Sequence, residues 1–157
     1  MESFVEKGLV RSIGYSNFGK INTEKILKEC KIKPAIAQFE IHPYLNQEDL
    51  VNYYHQKGIT VVSYSSLGST APNKLKVRED KVILELAEKY KKTVAQIILS
   101  WLIMRDILVI PKSTSEKHIE ENGKLFELEK EDFEKIQKLN KNYRYVDLPE
   151  WGPHRFD

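Results

Sequence analysis

The chain has 157 residues, 41% of them hydrophobic and 31% charged, a balance that excludes a disordered polymer and suits one region with a buried core. Its 25 Lys+Arg against 23 Asp+Glu leave a formal net charge of +2, with the signs interleaved, which argues against a nucleic-acid partner. A lone cysteine, Cys30, excludes an internal disulfide, and no run reaches the roughly 18 apolar residues of a membrane span. The start MESFVEKGLV is amphipathic and carries acids, unlike a secretory leader, so a cytoplasmic protein without a membrane partner is expected.

The first stretch sets Phe4, Val5 and Leu9 on one side and resembles the back half of a helix, so the chain reads as starting in mid-fold. RSIGYSN (11–17) then reads as a short strand. Residues 22–31 follow as a helix, with Ile26, Leu27 and Cys30 on one face behind a cap at Asn22 or Thr23. PAIAQFEIH (34–42) is the second strand. A helix over 47–57 groups Leu50, Val51 and Tyr54 and stops at Gly58. GITVVSYSSLG (58–68) is the third strand, and the loop STAPNKLKVRED leads to two helices. One, over 80–91, carries Val82, Ile83, Leu86, Ala87 and Tyr90; the other, over 94–104, carries Val94, Ile97, Ile98, Trp101 and Leu102, with Trp101 in the core. DILVIPKST (106–114) is the fourth strand. Helices near 115–123 and over 130–141 follow, and an irregular tail begins at about 142.

Strand and helix alternate four times, which implies an α/β chain of parallel (β/α) units, read as a single region over 1–157. A closed barrel of such units needs eight, and an open four-stranded sheet leaves two edges unpaired. Polar residues at the C-terminal ends of parallel strands face the functional rim. On that rule Lys112, Ser113 and Thr114, at the end of an apolar strand and ahead of a helix, form a place for an anion. A Ser113–Glu116 capping box would add free backbone N–H groups. His42 at a strand end reads as a core histidine ahead of a metal or catalytic one. No His/Cys/Asp/Glu set has zinc spacing, and no GxGxxG loop is present.

Three stretches, GLVRSIGYSNF, PAIAQFEIHPYLNQEDLVNYYHQKGITVVSYSSLG and LVIPKSTSEKHIEENGKLFEL, resemble consecutive C-terminal motifs of the aldo-keto reductases, in order and correctly spaced. The resemblance implies the C-terminal half, strands five to eight, of a (β/α)8 TIM barrel that reduces aldehydes and ketones with NADPH. It further implies that Ser16, Asn17 and Gln38 hydrogen-bond the nicotinamide carboxamide and that Tyr64 stacks on its ring. Ser65, Leu67 and Ser69 are similar to the loop that holds the pyrophosphate. Lys112, Ser113 and Thr114 resemble the clasp on the adenosine 2′-phosphate, and Glu121 and Asn122 resemble the adenine contacts. His118 stands where the family usually has an arginine; a histidine is largely uncharged at neutral pH, which leaves NADH use open. Ser66 replaces a frequent proline, and Ala71 lies near a frequent acidic residue.

The family's proton-donating tyrosine, with its lysine, aspartate and histidine, has no matching position in the chain. The resemblance therefore assigns no catalytic residue and implies that the chain alone is inactive. It also implies a small-molecule carbonyl substrate once the other half of a barrel is supplied. Two other readings stay open: a non-catalytic nucleotide-binding half barrel that closes as a homodimer or with a complementing half, and a chain whose open sheet edges keep it from folding stably alone. Trp151 and Phe156 in the tail are candidates for substrate contact.

Overall fold

In a computed structural model, the structure describes residues 1–147. Trp151 and Phe156 lie outside the described residues. Four strands, β1 (Gly14–Ser16), β2 (Ile36–Glu40), β3 (Thr60–Tyr64) and β4 (Ile107–Val109), follow one another across a sheet in chain order. The helices between them are α1 (Glu2–Glu6), α2 (Lys20–Glu29), α3 (Glu48–Gln56), α4 (Lys81–Tyr90) and α5 (Val94–Ile103); α6 (Glu116–Gly123) and α7 (Lys130–Gln137) come after β4. This is the alternation expected from the sequence, an α/β chain of four parallel strands. Among the described residues no helix is long and apolar enough to cross a membrane. By its contacts the chain resolves into two compact units, with boundaries within β2, at 46–47, within β3 and at 146–147.

The first unit holds residues 1–39 and 47–62. β1 pairs with β2 in parallel, Gly14 opposite Ile36, Tyr15 opposite Ala37 and Ser16 opposite Gln38. Gly14 is required by that approach, because a Cβ there would stand 2.5 Å from the Ile36 carbonyl oxygen. α2 begins at Lys20 behind Gly19, one turn earlier than the cap at Asn22 or Thr23 that the sequence suggested. Thr23 is instead buried and joins a line of hydroxyls. Tyr15 donates to it (3.2 Å), it meets the Tyr54 hydroxyl, and Tyr54 donates to the Phe18 carbonyl (2.6 Å). Burial pushes the Tyr54 pKa up, so this phenol remains a donor. Glu2 accepts from the backbone N–H of Lys31 and of Ile32, each at 2.7 Å, and so ties α1 to the approach to β2.

The second unit holds residues 40–46 and 63–146. Its centre is α5, where every residue from Gln96 to Leu102 is buried. A helix enclosed on all sides must satisfy its polar groups internally. Thr93 and Gln96 form a capping box at its start, and the Gln96 amide also donates to the carbonyls of Glu121 (3.0 Å) and Lys124 (2.9 Å). The Ser100 hydroxyl accepts from Phe126 N–H at 3.2 Å. Trp101 is fully buried, as expected, with the Arg105 guanidinium 4.6 Å from its ring centre. α7 is fixed by Asp132, buried yet bonded to Lys89 (2.6 Å), Lys135 (2.7 Å) and Tyr90 (2.7 Å). Burial alone would raise the Asp132 pKa, but hydrogen bonds from Lys135, Lys89 and Tyr90 hold it well below the usual carboxylate range.

Candidate functional site

In the first unit the register of β1 on β2 decides which polar groups meet. Ser16 and Gln38 are opposite each other at the C-terminal ends of the two strands, and the Ser16 hydroxyl donates to the Gln38 carbonyl at 3.1 Å. Asn17 follows in a left-handed conformation (φ 62°), which an Asn tolerates better than most residues, and its N–H donates to the same carbonyl at 3.0 Å. Ser16 and Gln38 line a cavity of about 400 Å³ with Ser12, Gly14 and Ile36. The Tyr15–Thr23–Tyr54 line of hydroxyls ends on the carbonyl of Phe18, the residue after Asn17, and holds this turn in place.

In the second unit two cavities adjoin. One, of about 300 Å³, is lined by the loop after β3 (Ser65, Ser66, Leu67, Gly68, Thr70) and by Ile110, Pro111 and Lys112 after β4. The other, of about 250 Å³, is lined by Lys112, Ser113, His118, Glu121 and Asn122, and by Thr93–Ala95 at the start of α5. Leu67, Arg78 and Lys112 belong to both. The structure therefore gathers Ser65, Leu67, Lys112, Ser113, His118, Glu121 and Asn122 around two cavities that share part of their lining. Tyr64 ends β3 half-buried, and Tyr64, Ser69 and Thr114 line neither of these two cavities. The Ser69 hydroxyl accepts from Ala71 N–H (3.1 Å) and so shapes its own loop.

Local chemistry sets these walls. Ser65 takes a left-handed turn (φ 50°) immediately after β3. Ser66 faces inward, where its hydroxyl bonds to that of Ser63 (2.7 Å), which itself donates to the Ile41 carbonyl (2.6 Å). Gly68 is needed next: its φ is +76°, and a Cβ there would stand 2.7 Å from Val77. α6 is capped by Ser115, whose hydroxyl accepts from His118 N–H, rather than by Ser113. Ser113 instead accepts from Ser115 N–H at 3.1 Å, so the Ser113–Glu116 capping box does not form. The Gln96 amide holds the far end of α6, and with it Glu121.

The strand end at Glu40 and His42 is structural. Both side chains are fully buried, and His42 Nε2 lies 2.9 Å from the Glu40 carboxylate. The same carboxylate accepts from the backbone N–H of Tyr145 and of Val146. Burial holds the His42 pKa below its ordinary value, against the pull of Glu40. Tyr145, fixed in this way, accepts from Val77 N–H through its hydroxyl (3.3 Å) and packs beside Gly68. It thereby sets the 3-10 turn Val77–Glu79 that carries Arg78.

Arg78 lines both cavities and was not marked by the sequence. It falls in the stretch read as the loop STAPNKLKVRED, and nothing in its spacing marks one cation from the next. Gly68, Thr70 and the α5 start were also unmarked. The Thr93–Gln96 capping box is the one signal that could have found the last of these.

A model of the aldo/keto reductase family matches residues 1–141. The chain is 54% identical over 156 residues to an aldose reductase of Encephalitozoon cuniculi, covering 99% of this chain and 52% of the relative. It is 44% identical over 146 residues to aldose reductase B of Dictyostelium discoideum, covering 92% and 46%. It is 39% identical over 153 residues to human aldo-keto reductase family 1 member A1, covering 93% and 47%. The chain thus spans about half the length of the curated relatives it matches.

Proposed function

The chain belongs to the aldo/keto reductase family, and from that premise we propose that it supplies the cofactor-binding half of a carbonyl reductase, with NADPH as the cofactor it fits best and NADH as the weaker one. One observation carries this reading: two adjoining cavities lined by hydroxyls and bounded by the cations Lys112 and Arg78. Such a donor set suits phosphate, which accepts charge-assisted hydrogen bonds. Lys112 and Ser113 would take the 2′-phosphate, Glu121 and Asn122 the adenine, and Ser65 and Leu67 the pyrophosphate. Ser16, Asn17 and Gln38 would orient the nicotinamide carboxamide, since an amide side chain offers a donor and an acceptor in one plane. When bound, the dihydronicotinamide supplies a hydride donor for an aldehyde or ketone.

Catalysis is a separate matter. A general acid must lie within hydrogen-bond reach of the carbonyl oxygen, and the family's tyrosine, lysine, aspartate and histidine have no counterpart at any position of this chain. We therefore assign binding, not turnover, to the 157 residues by themselves. A complementing half barrel is the partner this reading calls for. Exposed apolar strand residues favour it: Ile36 in one unit, Leu108 in the other. The test is a titration with NADPH and NADH followed by tryptophan fluorescence, with an aldehyde then added while the nicotinamide absorbance is watched. Saturable NADPH quenching without consumption is expected. No quenching by either dinucleotide would refute the binding role, and steady consumption by the chain alone would refute the division of labour.

A further inference from the structure

Arg78 stands on the wall that the two cavities of the second unit share, together with Lys112 and Leu67. It is half-buried, and among the described residues no carboxylate neutralises it. Two nearby acids have other partners. Asp80 accepts from the Tyr44 hydroxyl (2.7 Å) and from Val82 N–H (3.0 Å), and Glu121 faces Lys117 at 3.8 Å. Its backbone is set from two sides, by the Tyr145 hydroxyl on Val77 N–H and by the Asp80 cap of α4. An arginine on an anchored turn, with no carboxylate partner among the described residues and common to two cavities that carry hydroxyls, can face an anion on either side. A guanidinium suits that position, because its fork of five N–H groups can address two acceptors at once, whereas an ammonium is a single point charge.

We propose that Arg78 is a second phosphate-binding residue of this site, and that with Lys112 it selects an adenosine bearing phosphate on both its 2′ and 5′ sides, one in each cavity. This rests on the cofactor reading above and deepens it. The 5′ phosphate would lie with Ser65, Gly68 and Thr70, the 2′ phosphate with Ser113 and His118, and the two cations between them would offset the mutual repulsion of the anions. A ligand phosphorylated on one side only would use half of this arrangement.

The experiment measures affinity of the full 157-residue chain for two probes, adenosine 2′,5′-bisphosphate and adenosine 5′-monophosphate, by calorimetry at two salt concentrations. The variants are Arg78→Ala, Arg78→Lys and Arg11→Ala, the last an exposed arginine that lines neither cavity. The wild type should prefer the bisphosphate. Arg78→Ala should lower bisphosphate affinity by about tenfold or more, as loss of one charged hydrogen-bonding group implies, flatten its salt dependence and affect the monophosphate less. Arg78→Lys, which keeps the charge and stem, should recover part of the loss and keeps the question testable if the alanine variant unfolds. Arg11→Ala should bind as the wild type does. Bisphosphate binding untouched by both Arg78 variants would overturn the proposal while leaving the cofactor reading intact. Equal losses for the two probes would also overturn it. A wild type that binds neither probe would overturn the cofactor reading as well.

Discussion

Replacing Gln96 by leucine removes one side chain that serves two helices. Its Oε1 accepts from Thr93 N–H at 3.0 Å and completes the capping box of α5. Its Nε2 donates to the Glu121 and Lys124 carbonyls at the end of α6 (3.0 and 2.9 Å). Leucine has nearly the same volume, so packing is kept and only the polar contacts are lost. Three neutral hydrogen bonds at about 1 kcal/mol each give a loss of roughly 3 kcal/mol. At roughly 2–4 °C per kcal/mol for a chain of this size, the thermal midpoint should fall by about 6–12 °C. Urea unfolding followed by far-ultraviolet circular dichroism measures the first figure and a thermal scan the second. Binding should suffer too, because Glu121 and Asn122 on α6 line the smaller cavity. Affinity for adenosine 2′,5′-bisphosphate should drop at temperatures where the variant is still folded. A loss below about 0.5 kcal/mol would refute the claim that Gln96 fixes α6, since that is the scatter of an ordinary surface substitution.

Glu40→Gln should destabilise by roughly 2–4 kcal/mol, because one amide cannot accept from His42, Tyr145 and Val146 together and leaves a buried donor unmet. Urea midpoints of the wild type and the variant test it, and equal midpoints would contradict the geometry. His42 gives the chain a pH dependence of its own. Its folded pKa lies below its unfolded value, so the unfolded chain takes up the proton first. Its contribution is therefore whole above about pH 6.5 and is lost as pH falls from there through the folded pKa. Urea midpoints between neutral and mildly acid pH should slope for the wild type and flatten for His42→Gln. Glu2, Glu24 and Asp132 have lowered pKa values and act only below about pH 4.5.

The strand and helix order was legible because each segment carries its own period and ends on a residue that suits an end, such as Gly58 (φ 62°) after α3. Boundaries were less legible where tertiary contacts compete with local signals. Thr23 looks like a cap, but burial beside Tyr15 and Tyr54 gives its hydroxyl another use, and the helix starts at Lys20. Ser113 has the capping-box spacing to Glu116, yet Ser115 stands immediately before a helix that begins at Glu116 and takes the cap. The third strand was read through to Gly68, but the left-handed Ser65 ends it at Tyr64. In the first unit, Ser16 and Gln38 were readable as strand ends that a parallel register brings together. Arg78 was not, because its place depends on Tyr145, a residue far along the chain whose own position depends on Glu40.

Backbone-amide NMR of the 157-residue chain during titration with NADPH tests whether these residues clasp the phosphorylated adenosine end of a dinucleotide. Saturable shifts should concentrate in residues 65–70, 78 and 112–122 and be reproduced by adenosine 2′,5′-bisphosphate. Shifts confined to the apolar cavity around Ile13, Ile26 and Cys30, or none at saturating NADPH, would contradict it.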